Sequence, residues 1–424
     1  IAMNILRNLF AKKAKSIPTV PPKQIPESPP EDFNAADVLL DLAERRDVDL
    51  VLRGLDAHLE RVQEQDLEPE ALRLLSWAEE ELNLSQSPQP AQYALLGNIC
   101  QRLQPTQNAD ALQRALGFYS VALTGYEEAR ELEGTAVVLN NMGLALLTLA
   151  RTDARQYAEA IPLLEEALHF YENGEDWPRR ADICLSLGEA YAGLEEPGFD
   201  HYELGRECLE RSRALYERCD DEYGQAMAQG QLGDVHVELA VQDGQISLEK
   251  AVRHYRNALA IFVDLGEPLV VARYQERLAN AYGSLGEEEH LRKSLRAAQG
   301  AVELYEKHEQ QAALARAGLG LARIHLALVG CGAEDELLPG FEQLRRTLGL
   351  FRDLKDRSGR AACLLLLAQI YQYGESDRQD ADLRQAFDCL TEALAIYRLQ
   401  GQDEAAALVQ RQLHALEQPD AYTG

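Results

Sequence analysis

The side chains best suited to chemistry in this sequence are amides and carboxylates that recur at one helical register. Asn98, Asn140, Asn280 and Gln369 each offer both a donor and an acceptor to a peptide backbone. Glu189, Asp234, Glu238 and Glu276 make the middle of the chain acidic and suit a ligand that carries Lys or Arg. Arg273 is the exception and is placed to pair with Glu276 one helical turn on. Any one of these residues alone reads as a solvated helix face. Their recurrence is what points to binding.

Bond-making chemistry finds no comparable constellation. Nine histidines occur, with no His-Glu-x-x-His and no pair at metal spacing beside cysteine. There is no GxxxxGK[ST] loop, no Gly-x-Ser-x-Gly elbow and no CxxC pair. The stretch GLGLAR, residues 318–323, is only a weak glycine-rich match, and Cys331 reads as a chance exposed thiol. Acidic pairs such as Glu165–Glu166 fall on solvent faces. The expectation is a protein that is not an enzyme and holds no metal or cofactor.

Charge narrows the partners. Seventy acidic against 42 basic residues give a net charge of −28, which repels phosphate backbones and argues against nucleic acid. A basic or neutral protein or peptide is the expected partner. Seven scattered cysteines indicate a reducing compartment, and no run approaches the roughly 18 to 20 apolar residues of a membrane span. Both point to the cytoplasm, with attachment at the edge of a membrane or large assembly left open by the N-terminus.

Holding the recurrent polar residues in register requires a repeat. One small residue marks each of seven similar helices: Gly97, Gly143, Gly188, Gly233, Ala279, Gly320 and Ala368. An aromatic marks each following helix: Tyr126, Tyr171, Tyr216, Phe262, Tyr305, Phe351 and Tyr397. Both series step by about 45 residues, which identifies a repeat. Eleven and four residues before each aromatic the side chain is small, and seven before it is bulky, except Ala298 in the fifth unit. Offsets of three, four and seven share one helical face, so each unit is predicted to be two antiparallel helices.

The Leu-Gly-x-x-Tyr-like first helix and Ala-x3-aromatic-x2-Ala second helix resemble tetratricopeptide repeats over residues 91–417. The period exceeds the usual 34 residues and is similar to long-repeat members of the kinesin-light-chain and Leu-Gly-Asn kind. The extra length is expected partly in turns such as ARTDARQYAE and AVQDGQISLEK. The resemblance implies an all-α, right-handed superhelical solenoid of about seven hairpins at residues 91–402. It also implies a concave groove lined by first helices. Positions three before, one after and four after each landmark are expected to face it, including Ala317, Leu321 and Ile324 in the sixth unit. No base stands three before any landmark, which disfavours the family's clamp on C-terminal acidic tails.

Residues 31–90 are expected to form an N-terminal helical cap, 403–418 a C-terminal capping helix, and 419–424 a frayed tail. Residues 1–30 stand apart, with a net charge of +4. Ile5, Leu6, Leu9 and Phe10 form an apolar stripe beside Arg7, Lys12 and Lys13, ahead of a proline-rich spacer. That arm suits a membrane surface or a partner's groove. The expected function is a non-enzymatic interaction scaffold or adaptor. The alternatives are a peptide-responsive regulator that changes shape on binding, and a self-assembling structural component, with oligomeric state open.

Overall fold

The computed structural model describes residues 48–61, 68–85, 88–102, 109–172, 174–194, 198–372 and 379–417. The basic arm, residues 31–47 and the 419–424 tail lie outside the described residues. The regular elements described are all helical. The chain divides into two compact units, residues 1–231 and 232–424, and the boundary falls within one helix.

The first unit contains α1 (Val48–Arg61), α2 (Glu68–Leu84), α3 (Pro90–Arg102), α4 (Ala109–Ala129), α5 (Leu132–Ala150), α6 (Arg155–Tyr171), α7 (Trp177–Ala192) and α8 (Phe199–Arg218). It also holds the first part of α9 (Glu222–Asp243). The second unit continues from α9 with α10 (Gln245–Asp264), α11 (Pro268–Leu285), α12 (Glu288–Lys307), α13 (Gln311–Gly330), α14 (Leu337–Asp353), α15 (Arg357–Gln372), α16 (Gln379–Leu399) and α17 (Asp403–Glu417). From α3 to α16 consecutive helices pair as hairpins. At the N-terminal side α1 buries Val51, Leu52 and Leu55 in the first core, and Arg102 reaches Asp56 at 2.8 Å. At the other end α17 buries Ala406, Val409 and Leu413 against α16.

The small residues of the sequence are there for close approach. A Cβ on Gly97, Gly143, Gly188 or Gly233 would stand 2.4–2.6 Å from Tyr119, Leu164, Leu209 or Tyr255, the bulky residue of the partner helix. That separation is well inside van der Waals contact, so the side chain fills the space a glycine leaves. In the fifth hairpin both members change together: Ala279 faces a helix whose bulky position is Ala298. The small positions on the second helices, from Ala115 to Ala393, are all buried.

The sixth landmark shifts. A Cβ on Gly320 would meet nothing within 4 Å, whereas Leu321 and Ala322 are buried at 5% and 0% exposure. Every other landmark follows a buried apolar residue (Leu96, Met142, Leu187, Leu232, Leu278, Leu367), so Ala322 is the sixth member. His325 then falls three beyond it, where other units have Tyr191, His236, Tyr282 and Tyr371. Gly320 is a glycine near the expected period, but packing requires only a small residue, and Ala322 supplies it.

Six of the seven hairpin junctions share one turn, the exception being that after Tyr171. Four residues after the aromatic the backbone is left-handed at Arg130, Asp220, Gly266, Glu309, Lys355 and Gly401. In each, the next N–H donates to the aromatic's own carbonyl, as Glu131 does to Tyr126 at 2.9 Å and Gln402 to Tyr397 at 3.0 Å. Only two of these six residues are glycine, so composition concealed the motif. The segment AVQDGQISLEK, expected as an extended turn, is instead helical on both sides of Gly244, whose φ is 58°. Two helices, α5 and α13, also reach the length and hydropathy of a membrane span, contrary to the sequence expectation. Half of each apolar window is buried within the protein.

Candidate functional site on the first helices

The first helices carry the polar side chains singled out by the sequence, and the structure sorts them by what they touch. In the first unit, Asn98 on α3 is engaged internally. Its Oδ1 accepts from the Tyr119 hydroxyl at 2.8 Å and from Asn141 Nδ2 at 2.9 Å, tying α3 to α4 and α5. Asn140 on α5 donates weakly to Asn141 at 3.5 Å, and its own Oδ1 is buried with no hydrogen-bond partner. A buried amide oxygen left in this state costs about 1–3 kcal/mol, so a ligand donor there would be favoured. Glu189 on α7 is half-buried.

In the second unit Asp234 on α9 is likewise committed. It accepts from the Tyr255 hydroxyl at 2.7 Å and pairs with Arg277 at 2.7 Å, while Arg277 lies 5.2 Å from the Tyr274 ring centre. Burial pushes its carboxyl above the ordinary value, and Arg277 and Tyr255 pull it back. Glu238 is exposed one turn on. Asn98 and Asp234 share a cause: each stands one residue past its landmark, opposite a tyrosine at the bulky position. The hydroxyl needs an acceptor there.

Arg273 and Glu276 on α11 do not form the expected ion pair. Glu276 accepts from the Tyr305 hydroxyl at 3.3 Å, and Arg273 is exposed without an acidic partner among the described residues. Burial and Glu276 push the Tyr305 hydroxyl up to about 12, while Arg316 and Arg273 pull the other way. Asn280 and Gln369 are exposed.

Moving the landmark to Ala322 also corrects the face of α13. Ala317, Leu321 and Ile324 are buried at 3%, 5% and 8% exposure and belong to the core. The outward series is Arg316, Leu319, Arg323 and Leu326, spaced by three and four. Between α13 and α15 it borders a cleft of about 590 Å³ lined by Arg323, Leu326, Ala327, Leu366, Gln369 and Gln372. A register set by Gly320 is two residues off and places Arg316 and Arg323 outside the expected groove positions. The Leu321–Ala322 pair and His325 carried the signal.

His325 and four of the thiols are held by packing. His325 Nδ1 lies 2.7 Å from Glu336 and fastens α13 to the turn before α14. Burial pushes the Cys100 and Cys184 thiols up to about 11 and those of Cys208 and Cys363 to about 12, away from the reactive thiolate. No group of three or more His, Cys, Asp or Glu suited to a metal ion occurs among the described residues.

Helix pairs in register, a small residue opposite a bulky one in most hairpins, and an aromatic closing each turn define the architecture. The fold is a tetratricopeptide-like helical repeat. No protein-family model matches the chain, and no curated protein does. Among solved structures it is similar to a Rap protein complexed with competence and sporulation factor, at 15% identity and a TM-score of 0.46, covering 91% of this chain and 97% of that one. It is also similar to aspartyl phosphate phosphatase F from Bacillus subtilis, at 11% identity and a TM-score of 0.47, covering 92% and 96%. A third is a STAND ATPase with a tetratricopeptide repeat sensor from Pyrococcus horikoshii, at 14% identity and a TM-score of 0.48. That match covers 82% of this chain and 55% of the other, about half its length. These likenesses concern fold and carry nothing about ligands.

Proposed function

We propose that the chain is a non-enzymatic interaction protein that holds an extended segment of a partner on its first-helix face. The cleft between α13 and α15 carries this reading. It joins an apolar floor of Leu326, Ala327 and Leu366 to Arg323, Gln369 and Gln372, whose side chains have no hydrogen-bond partner among the described residues. Apolar surface supplies affinity, while amides and a guanidinium can hold a peptide's backbone and side chains in one register. The packing of the repeat does not explain why such groups stand together outside the core.

A photo-crosslinking residue introduced at Leu326 tests this, with one at the exposed Arg296 of α12 as its counterpart. In native lysate, adducts to a defined partner segment are expected at Leu326 and not at Arg296. Adducts that form only at Arg296 would move the working surface to the second helices.

A further inference from the structure

Three guanidinium groups of the second unit, Arg273, Arg316 and Arg323, stand at outward positions of first helices, and Arg323 lines the cleft. On α11 and α13 the outward positions repeat in register: Arg273, Glu276 and Asn280 on one helix, Arg316, Leu319 and Arg323 on the next. Arg273 and Arg316 each stand six residues before their landmark. Arg316 and Arg323 are seven residues apart on one helix, about 10 Å along its axis. Three residues of an extended peptide span about the same distance.

All three arginines are exposed and have no ion-pair partner among the described residues. The chain elsewhere pairs its arginines readily, as with Arg102–Asp56, Arg114–Glu79 and Arg277–Asp234. With 70 acids against 42 bases, acidic partners are abundant. Glu276 is the one acid in the outward series given for α11 and α13, and it accepts from Tyr305.

We propose that the face formed by α11, α13 and α15 binds an acidic peptide segment. Arg323 takes a side-chain carboxylate at the cleft, and Arg316 and Arg273 take further ones beyond it. This rests on the first-helix reading above and reverses the partner charge expected from composition. A guanidinium presents paired donors that match a carboxylate's two oxygens. Gln369 and Gln372 offer both donor and acceptor to the backbone between the acids. The net charge of −28 opposes any anion at long range, so the attraction here is that of the three guanidinium groups at contact distance.

The test is selection of a random heptapeptide library, displayed with blocked C-termini, against the full chain. Blocking removes the terminal carboxylate, so any acid enriched is a side chain. Enrichment of Asp and Glu is expected. A selected peptide should bind about tenfold or more weakly to Arg323→Glu and unchanged to Arg296→Glu, the range set by loss of one charged hydrogen-bonding group. Arg323→Gln gives a milder loss in the same direction and serves if the reversal disturbs folding. Enriched basic or neutral peptides that ignore Arg323→Glu but are lost on Leu326→Asp would overturn the acidic ligand and leave the first-helix reading standing. Enrichment no better than a non-binding control would overturn both.

Discussion

The first helices of the two units share the size pattern of their inward residues, a small one after a buried apolar one, and differ in their outward ones. Six before the landmark, α3, α5 and α7 carry Ala91, Val137 and Asp182, whereas α11, α13 and α15 carry Arg273, Arg316 and Ala362. One after it, the first set has Asn98, Leu144 and Glu189, and the second has Asn280, Arg323 and Gln369. The outward face of the first unit is neutral to acidic, and its amides are partly engaged in holding hairpins together. That of the second carries Arg273, Arg316 and Arg323, which form no ion pair among the described residues, although Asp234 and Glu276 are engaged by Tyr255 and Tyr305. Packing constrains one stripe of each helix tightly and leaves the other free to acquire a ligand preference.

The largest expected effect sets one unit against the other through a single methyl group. Gly188→Ala places a Cβ 2.4 Å from Leu209 and should destabilise by about 1–3 kcal/mol in chemical denaturation. Gly320→Ala meets nothing within 4 Å and should stabilise by up to about 1 kcal/mol through helix propensity. Equal losses at both would return Gly320 to the landmark and undo the α13 face.

A smaller effect separates a structural amide from a ligand-facing one. Asn98→Ala strands the Asn141 amide and removes one acceptor of Tyr119, at a cost of about 1–2 kcal/mol. Gln369→Ala should leave stability unchanged within about 0.5 kcal/mol and weaken peptide capture. If Asn98→Ala instead lost ligand at full stability, the distinction between the two faces would fail.

The smallest effect is a pH dependence on the acidic side. Burial pushes the Asp182 carboxyl up, Asp221 and Asp176 add to this, and the Tyr216 hydroxyl pulls it back. Asp182 therefore keeps its proton in the folded chain at a pH where the unfolded chain has lost it. Its contribution is complete below its ordinary value of 3.8 and is lost as pH rises through the raised one. Asp182→Asn keeps an oxygen for Tyr216 and removes that titration. The stability of wild type relative to the variant should thus decline as pH climbs from about 4 through the raised value. A difference that is flat across that window would remove Asp182 as a titrating element of this face.

Much of the fold was legible because it rests on residue size at fixed spacing. Gly97, Gly143, Gly188 and Gly233 were each found by period, and each proved to face the bulky residue predicted for its partner helix. Gly320 shows where that reading slips: a small residue two positions away satisfies the same packing, and spacing alone did not choose between them. The left-handed turns were illegible at Arg130, Asp220, Glu309 and Lys355, because hydrogen bonds to the preceding aromatic hold a conformation those side chains do not advertise. Of the amides read as ligand contacts, Asn98 was indistinguishable by type from Gln369 until its distance to Tyr119 was known.

The sequence by itself determined the helical hairpin, its period of about 45 residues and the identity of the buried stripe, because burial of apolar faces is written in one-dimensional spacing. Only the tertiary structure decided which polar residues are already satisfied and which remain unused. That is a question of angstroms between side chains far apart in the chain. It rests on where Tyr119, Tyr255 and Tyr305 point their hydroxyls, which engages Asn98, Asp234 and Glu276 and leaves Arg273, Arg316 and Arg323 without an ion pair among the described residues.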